Sequence, residues 1–329
     1  MLRHLAAFFV LYAHAVTVFG DEEFVYRLTN GYLELSSLGV DIFFIISGYL
    51  VCQSRVQTNS RWAFAGKRLL RLWPALFVVT VLLTFLAGPI LTIFPLAQYF
   101  GSGQTWLFLT RNSFFLPVYE LPGVFNGQGI NYPFWTLFFE MTCYAGLLIA
   151  GKNILLRYKK FLVVFWLLAA AWRFWPGGLA WPPVLDTYRY GVADLMFLFF
   201  SAAVYRLNVS TGKAWGSWLA VGGLFVFLLP VFFLLPAQLS QLLKYSGLLL
   251  MVLEFGKAKP IFAWPSWDIS YGTYLMAFSV QMIIANCFPV FGKSGVAVFW
   301  ATLFITTPLA FCCWYLVEKP ALKKKKLLR

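Results

Sequence analysis

The chain has 329 residues, of which 61% are hydrophobic, 20% are aromatic and only 12% are charged. A water-soluble domain carries about 25% charged residues, so this chain has too few polar side chains to cover a soluble surface, and we expect an integral membrane protein. The net charge of +14 does not indicate nucleic acid as a partner, because the basic residues stand between apolar runs and form no basic–aromatic surface motif.

Ten apolar runs along the chain have about the length that a helix needs to cross a bilayer, which is about 20 residues. They lie at residues 5–19, 38–52, 69–87, 133–150, 161–175, 191–205, 215–235, 237–255, 269–287 and 295–317. The predicted fold class is therefore all-α, a single polytopic membrane domain over residues 1–329 with about ten transmembrane helices.

The distribution of positive charge predicts the orientation of these helices. With the N-terminus inside, 20 of the 26 lysines and arginines fall on the cytoplasmic side, which agrees with the positive-inside rule. An even number of helices then places both termini in the cytoplasm and the basic tail, 318–329, against anionic lipid of the inner leaflet. We therefore expect a multi-pass protein of the inner (plasma) membrane.

One connection, residues 88–132, is much longer than the others. It is rich in glycine and proline but also in phenylalanine, leucine and tryptophan. Loops of this length are usually either functional or disordered, and the aromatic content argues against disorder. We therefore expect an ordered outer loop or a re-entrant cap that helps to line a cavity.

His14 is the first ionisable residue placed deep in a predicted span. It lies about nine residues into the first helix, roughly 13 Å from the inner surface, near the middle of a hydrocarbon core about 30 Å thick. Imidazole has a pKa near working pH, so His14 is a candidate general base; the alternative is a neutral histidine that only hydrogen-bonds a neighbouring helix. Arg3 stands eleven residues earlier, which places both side chains on one face of the helix.

Glu140 lies at a similar depth, about seven residues from the outer end of the fourth helix. Charged groups inside a bilayer are costly and usually functional, so we predict that this carboxylate orients the imidazole or contacts a sugar hydroxyl. The alternatives are a buried neutral acid or a helix–helix hydrogen bond. Asp41 lies nearer the outer end of the second helix. It is either a substrate contact or a residue at the helix start that the helix dipole favours.

Three basic residues, Lys67, Arg68 and Arg71, stand at the cytoplasmic start of the third helix. Arg68 and Arg71 are three residues apart and share one helical face, beside the positive N-terminus of the helix. We predict that they bind a polyphosphate; the alternative is ordinary positive-inside flanking. No metal site is expected, because the five cysteines have neither metal-ligand nor redox spacing.

These motifs, taken in order, resemble those of the membrane acyltransferase 3 family along nearly the whole chain. The similar residues and segments are Arg3 with His14, residues 38–51, the basic motif at 67–71, residues 121–127, residues 131–140 with their W-T-L-x-x-E ending, residues 268–275 and residues 317–320. At the place where many members of the family have a second histidine, this chain has Ala277.

The resemblance implies an O-acyltransferase that takes an acyl group, typically acetyl, from cytoplasmic acyl-CoA and transfers it to a hydroxyl of a carbohydrate, such as a surface polysaccharide or a lipid-linked glycan. It implies catalytic roles for His14 and its paired Arg3, with Glu140 as the motif carboxylate, and coenzyme binding by the basic motif. The expected substrate contacts are Asp41, Trp135 and Tyr271. No tightly bound cofactor is expected, since acetyl-CoA is a substrate.

A transporter or flippase of a glycan or small solute is the alternative from another class of protein. Ten helices with sparse buried charge also describe many carriers. Transporters, however, often consist of two related halves with broken helices at corresponding positions. No such repeat is visible in this sequence, which favours the enzyme.

Overall fold

The computed structural model describes residues 1–18, 20–174, 190–209, 216–257, 266–288 and 294–325. Every regular element in these ranges is helical, so the predicted all-α fold class is confirmed. The α-helices are α1 (Leu2–Thr17), α2 (Phe24–Leu28), α3 (Leu35–Gln57), α4 (Arg61–Leu82), α5 (Leu96–Gly101), α6 (Gly103–Ser113), α7 (Trp135–Arg157), α8 (Lys159–Phe174), α9 (Met196–Asn208), α10 (Gly216–Phe232), α11 (Ala237–Lys257), α12 (Ser270–Cys287), α13 (Gly295–Cys313) and α14 (Lys319–Lys324).

Four helical stretches in the described ranges are long and apolar enough, by length and composition, to cross a bilayer. They are Leu35–Gln57, Arg61–Leu91, Tyr132–Arg157 and Gly295–Lys324. Leu2–Thr17 and Trp218–Phe232 are apolar but shorter. These helices support the conclusion that the chain is a membrane protein. The number of about ten spans and the cytoplasmic position of both termini stay predictions. The predicted helix ends at residues 19, 175 and 215 and the last residues of the basic tail, 326–329, lie outside the described residues.

Wider π turns extend two of the long apolar helices. α4 passes through the π turn Leu83–Ala87 into a last helical turn, Gly88–Leu91, and α13 passes through Trp314–Glu318 into α14. A third π turn, Tyr190–Leu195, precedes α9. Such turns widen the helix by one residue and are frequent at functional sites. The π turn Trp314–Glu318 directs Glu318 toward the basic motif, as described below.

The long connection at 88–132 has a defined structure of its own. It contains α5, α6 and the short 3₁₀ turn Phe125–Gly127, and a second 3₁₀ turn, Tyr132–Phe134, leads from its end into α7. Asn112 folds the chain back after α6, since its Nδ2 donates to the carbonyl of Val118 (2.9 Å) and its Oδ1 accepts from the Val118 amide (3.0 Å). The hydroxyl of Tyr99 donates to the carbonyl of Thr84 (2.9 Å), and burial raises the pKa of Tyr99 to about 12. The position of the whole connection at 88–132, outside the membrane or as a re-entrant cap, stays a prediction.

The chain forms two compact units, each assembled from segments that are far apart in the sequence. The first unit comprises Met1–Ala6, Val25–Phe64 and Thr142–Pro265, and the second comprises Ala7–Phe24, Ala65–Met141 and Ser266–Arg329. In the first unit α3 packs closely on α9 because Gly48 has no Cβ to collide with the carbonyl of Phe199. In the second unit α1, α12 and α13 share an apolar core that includes Leu11, Ala15, Ala277, Ile284, Val298 and Phe299.

Candidate active site

His14 lies in the second unit, where α12 fixes it on α1. Its half-buried ring packs edge-on against Phe278 of α12, with ring centroids 5.3 Å apart and an interplanar angle of 89°. One turn further along α12, Nε2 of Gln281 donates to the carbonyl of Leu11 (2.8 Å). α12 therefore holds both the side chain of His14 and the backbone of α1.

Ala277 occupies the place of the family's second histidine. It is buried in the apolar core beside Leu11 and Ala15 of α1, so a small side chain at this position allows α12 to approach α1 closely. The only other histidine of the chain, His4, belongs to the first unit. His14 is therefore the one imidazole that the second unit contains.

Glu140 is half-buried on α7. The turn that precedes α7 also contacts α12, because the hydroxyl of Tyr274 donates to the carbonyl of Pro133 (2.7 Å). The hydroxyl of Tyr274 on α12 lies 2.5 Å from the hydroxyl of Thr136 on α7. Thr136 and Glu140 are four residues apart on α7, and Tyr274 and Phe278 are four residues apart on α12, so each pair shares a helical face. One face of α12 thus meets both His14 and the part of α7 that carries Glu140.

The segment before α7 brings an exposed aromatic ring next to this face. The side-chain nitrogen Nδ2 of Asn131 donates to the carbonyl of Leu275 (2.7 Å) and to the hydroxyl of Ser279 (3.0 Å), both on α12. Tyr132, which is 44% exposed, then packs its ring on Phe278 (5.5 Å). Because Phe278 also contacts the ring of His14, the exposed tyrosine and the candidate base are neighbours of the same phenylalanine.

The basic motif on α4 is tied to two later parts of the chain through Arg71. Its guanidinium forms ion pairs with Asp268 (2.8 Å) and with Glu318 (3.1 Å), and the arginine side chain is only 12% exposed. The same guanidinium lies over the ring of Tyr271 (5.8 Å), whose buried hydroxyl donates to a carbonyl of α4. The structure therefore brings together the basic motif and the last two sequence signatures.

Of the other residues predicted for the coenzyme and the acceptor, all but Asp41 lie in the second unit. Lys67 and Arg68 are half-buried on α4. Trp135 begins α7 and packs edge-on against Phe139 (5.7 Å). Tyr271 lies against Arg71, as described above, and its contact with a substrate stays a prediction, as does that of Trp135.

Arg3 and Asp41 belong to the first unit. Arg3 is half-buried near the start of α1, and Asp41 is fully buried on α3. α3 begins at Leu35, so Asp41 lies well inside the helix, beyond the first turn in which the helix dipole acts. The alternative that Asp41 is a residue at the helix start is therefore wrong. In the described parts of the chain, no group of three histidine, cysteine or carboxylate side chains is placed to hold a metal ion.

Sequence reasoning missed the polar residues that hold the site together. They are Asn131, Tyr274, Ser279 and Gln281. A signal was present, since each is a polar residue within or beside an apolar helix, where a side chain needs a specific partner. Asn131 and Gln281 are fully buried, and each has an amide oxygen for which the described residues provide no partner. Unpartnered buried acceptors require a functional explanation, which makes both residues part of the candidate site.

Comparisons with known proteins agree with these motifs. A family model for an acyltransferase domain matches residues 1–318. The O-acetyl transferase of Shigella phage Sf6 is 26% identical over an alignment of 339 residues, which covers 96% of this chain and 93% of that protein. Nodulation protein 10 of Rhizobium leguminosarum bv. viciae is 25% identical over 335 residues, which covers 90% of this chain and 85% of that protein. No solved structure matches the chain. The protein thus belongs to the acyltransferase 3 family.

Proposed function

We propose that this protein is an O-acyltransferase of the inner membrane that moves an acyl group, acetyl in particular, from cytoplasmic acyl-CoA to a hydroxyl of a carbohydrate acceptor. Membership of the family supports acyl transfer, and the name of the phage relative supports acetyl. The observation that carries the proposal is the position of His14, an imidazole within an apolar helix. Its ring packs against Phe278 of α12, which also contacts the exposed ring of Tyr132.

The reaction needs one base and no external reductant or oxidant. An imidazole nitrogen of His14 takes the proton of the acceptor hydroxyl, and the oxygen attacks the carbonyl carbon of the thioester. The carbon–sulfur bond then breaks, and the departing thiolate takes the proton from the imidazolium, which leaves an ester and free coenzyme A. The alternative route, in which His14 itself is transiently acylated, gives the same products.

Glu140 and Arg3 support the base in this proposal. A carboxylate near an imidazole selects its tautomer and stabilises the imidazolium that forms during the reaction. Glu140 performs this role or contacts the acceptor, and Arg3 stands at the cytoplasmic end of the same helix. A site inside the membrane also protects the thioester from hydrolysis by water.

The two substrates approach from different parts of the site. Lys67, Arg68 and Arg71 form the proposed binding surface for the phosphates of the coenzyme. Lys67 and Arg68 donate the charge-assisted hydrogen bonds, and Arg71, paired with Asp268 and Glu318, holds the motif in place. The carbohydrate stacks on the exposed ring of Tyr132, since an aromatic face offers an apolar surface of the right shape for a sugar ring. Asp41, Trp135 and Tyr271 are the further substrate contacts that we propose.

Replacement of His14 by alanine tests the base directly. General-base catalysis contributes roughly 10²–10⁴-fold, so His14→Ala should lower transfer of radiolabelled acetyl from acetyl-CoA to extracted glycans by about that factor. His4→Ala, which removes the other histidine, is the matched control and should retain activity. Both variants are compared at equal amounts in the membrane fraction.

The same experiment separates the enzyme from the transporter. A transporter or flippase predicts no label in the glycans with the unaltered protein, even when acetyl-CoA is supplied. Full activity of His14→Ala would instead reject the role of His14 while leaving acyl transfer in place. Mass spectrometry of surface glycans from cells with and without the protein identifies the acceptor hydroxyl.

A further inference from the structure

A second basic site lies in the first unit, where the end of α3 meets a break in α7. The cavity there has a volume of about 330 Å³, at the small end of the range for ligand pockets. Its lining includes three cationic side chains and two amides, and none of its lining residues is acidic: Arg55, Arg61, Lys152, Asn59 and Asn153. The sequence has no aspartate or glutamate between 42 and 119 or between 141 and 185, so the segments that form this kink pocket carry only positive charge.

Arg55 is the most unusual member of the kink pocket, because it is charged and only 2% exposed. Its Nη1 donates to the carbonyl of Thr58 (2.8 Å) and so caps the end of α3. Its Nε is buried, and the described residues offer that atom no hydrogen-bond partner. A buried cation is costly unless an anion accompanies it. Arg55 therefore indicates a negatively charged ligand.

The surroundings of Gly151 show how close the cations of the kink pocket lie to each other. Gly151 breaks α7 with φ +71°, a left-handed conformation that glycine adopts readily. A Cβ at Gly151 would lie 3.4 Å from Nη2 of Arg61 and 3.6 Å from Nη2 of Arg55, so these two nitrogens are at most about 7 Å apart. Nearby, Nζ of Lys152 donates to Oδ1 of Asn59 (2.9 Å). The backbone thus leaves room between two guanidinium groups of like charge, with an ammonium nearby.

We propose that the kink pocket binds a phosphate group, as a site separate from the basic motif of α4. A phosphate offers several acceptor oxygens and up to two negative charges, which match two guanidinium forks and a lysine. The group comes either from a soluble phosphate compound or from the headgroup of an anionic phospholipid. The predicted topology places both segments on the cytoplasmic side, where both sources are present. This binding does not depend on acyl transfer.

The test compares two double variants of the full-length protein that remove the same charge. Arg61→Gln with Lys152→Gln removes two cations of the kink pocket, while Arg157→Gln with Lys160→Gln removes two exposed cations of the same predicted side that do not line it. In detergent, binding of inorganic pyrophosphate is measured by calorimetry. In vesicles of phosphatidylcholine and phosphatidylglycerol at three to one, retained phosphatidylglycerol is measured by native mass spectrometry after extraction.

The kink-pocket variant should bind at least about tenfold more weakly than the unaltered protein in one arm or both, because it loses charge-assisted hydrogen bonds. The control should stay within about twofold. A loss confined to pyrophosphate identifies a soluble ligand, and a loss confined to phosphatidylglycerol identifies a lipid. Equal binding by both variants, or no binding by the unaltered protein in either arm, overturns the proposal. If the double variant has no thermal transition, Lys152→Gln alone is compared with Lys160→Gln.

Discussion

Arg71 and Arg68 are three residues apart on α4, yet the structure gives Arg71 a distinct environment. Two carboxylates neutralise Arg71, and one of them, Glu318, is itself 1% exposed. A phosphate would have to displace a buried carboxylate from Arg71, which would leave that charge without its partner. We therefore expect that Arg71 contributes mainly to the folded structure, while Arg68 keeps the coenzyme role predicted from the sequence.

Substitution of each arginine by glutamine distinguishes these contributions. Arg68→Gln should raise the KM for acetyl-CoA by about tenfold, the effect of losing one charge-assisted hydrogen bond. Arg71→Gln should lower the free energy of unfolding by on the order of 3 kcal/mol, because Glu318 stays buried with one cation fewer. Enzyme kinetics and thermal denaturation in detergent measure the two effects. A stable Arg71→Gln protein with only a raised KM would assign Arg71 to the coenzyme instead.

At the scale of elements, α12 is the helix on which the candidate site is built. It contacts His14 through Phe278, the backbone of α1 through Gln281 and the start of α7 through Tyr274. These three residues lie on α12 at spacings of three and four, which place them along one face. A change at Gln281 should therefore alter the position of the base while leaving in place the basic motif proposed for the coenzyme.

Gln281→Leu tests this positioning role. The substitution keeps a similar volume but removes the donor to the carbonyl of Leu11, so α1 loses its fixed position beside His14. Because small displacements of a catalytic group can cost up to about a hundredfold, we expect kcat to fall by roughly tenfold or more while the KM for acetyl-CoA stays constant. Asn286→Leu, which removes an exposed amide bonded within α12, is the control. An unchanged kcat in Gln281→Leu would contradict the role.

The helices of this fold could be predicted from the sequence, because apolar runs of sufficient length are a local signal. A helix occupies each of the ten predicted runs, although α4 begins at Arg61, well before the predicted residue 69, since basic and polar residues also continue the helix. The π turns and the helices α5 and α6 could not be predicted in this way. The π turns and these two short helices do not change the average hydrophobicity of the segments that contain them, so a search for apolar runs does not reveal them.

The chemistry of the candidate site was only partly predictable. His14 and Glu140 were identified because an ionisable residue in an apolar run is conspicuous by itself. The partners of Arg71 could not be found, since Asp268 and Glu318 are 197 and 247 residues away in the sequence and no local pattern encodes such pairs. The same holds for Asn131 and Gln281, whose roles depend on helices that meet only in the folded protein.

At the scale of the whole molecule, the excess of positive charge in alternate connections predicts the topology. The first and last helices should both have their charged ends in the cytoplasm. This orientation matters for the proposed function, because the proposed donor, acetyl-CoA, is found in the cytoplasm and the basic motif must face it. The inner-membrane location and the multi-pass arrangement follow from the same prediction.

Reporter fusions test the topology of both termini. A fluorescent protein attached to either end should fluoresce, since it folds in the cytoplasm, and alkaline phosphatase at the same positions should be inactive because it requires export. A phosphatase fusion within residues 88–132 should be active if that connection lies outside. Active phosphatase at either terminus would reverse the orientation or change the number of spans.

The ion pairs of Arg71 also have a consequence for biosynthesis. Arg71 leaves the ribosome long before its carboxylate partners, which at about 5–20 residues per second follow roughly 10–50 s later. During that interval the basic motif is inserted before Asp268 and Glu318, the carboxylate partners of Arg71, have been synthesised. Only translation past Glu318 supplies the second partner, so an interrupted message should yield inserted but inactive chains that membrane proteases remove.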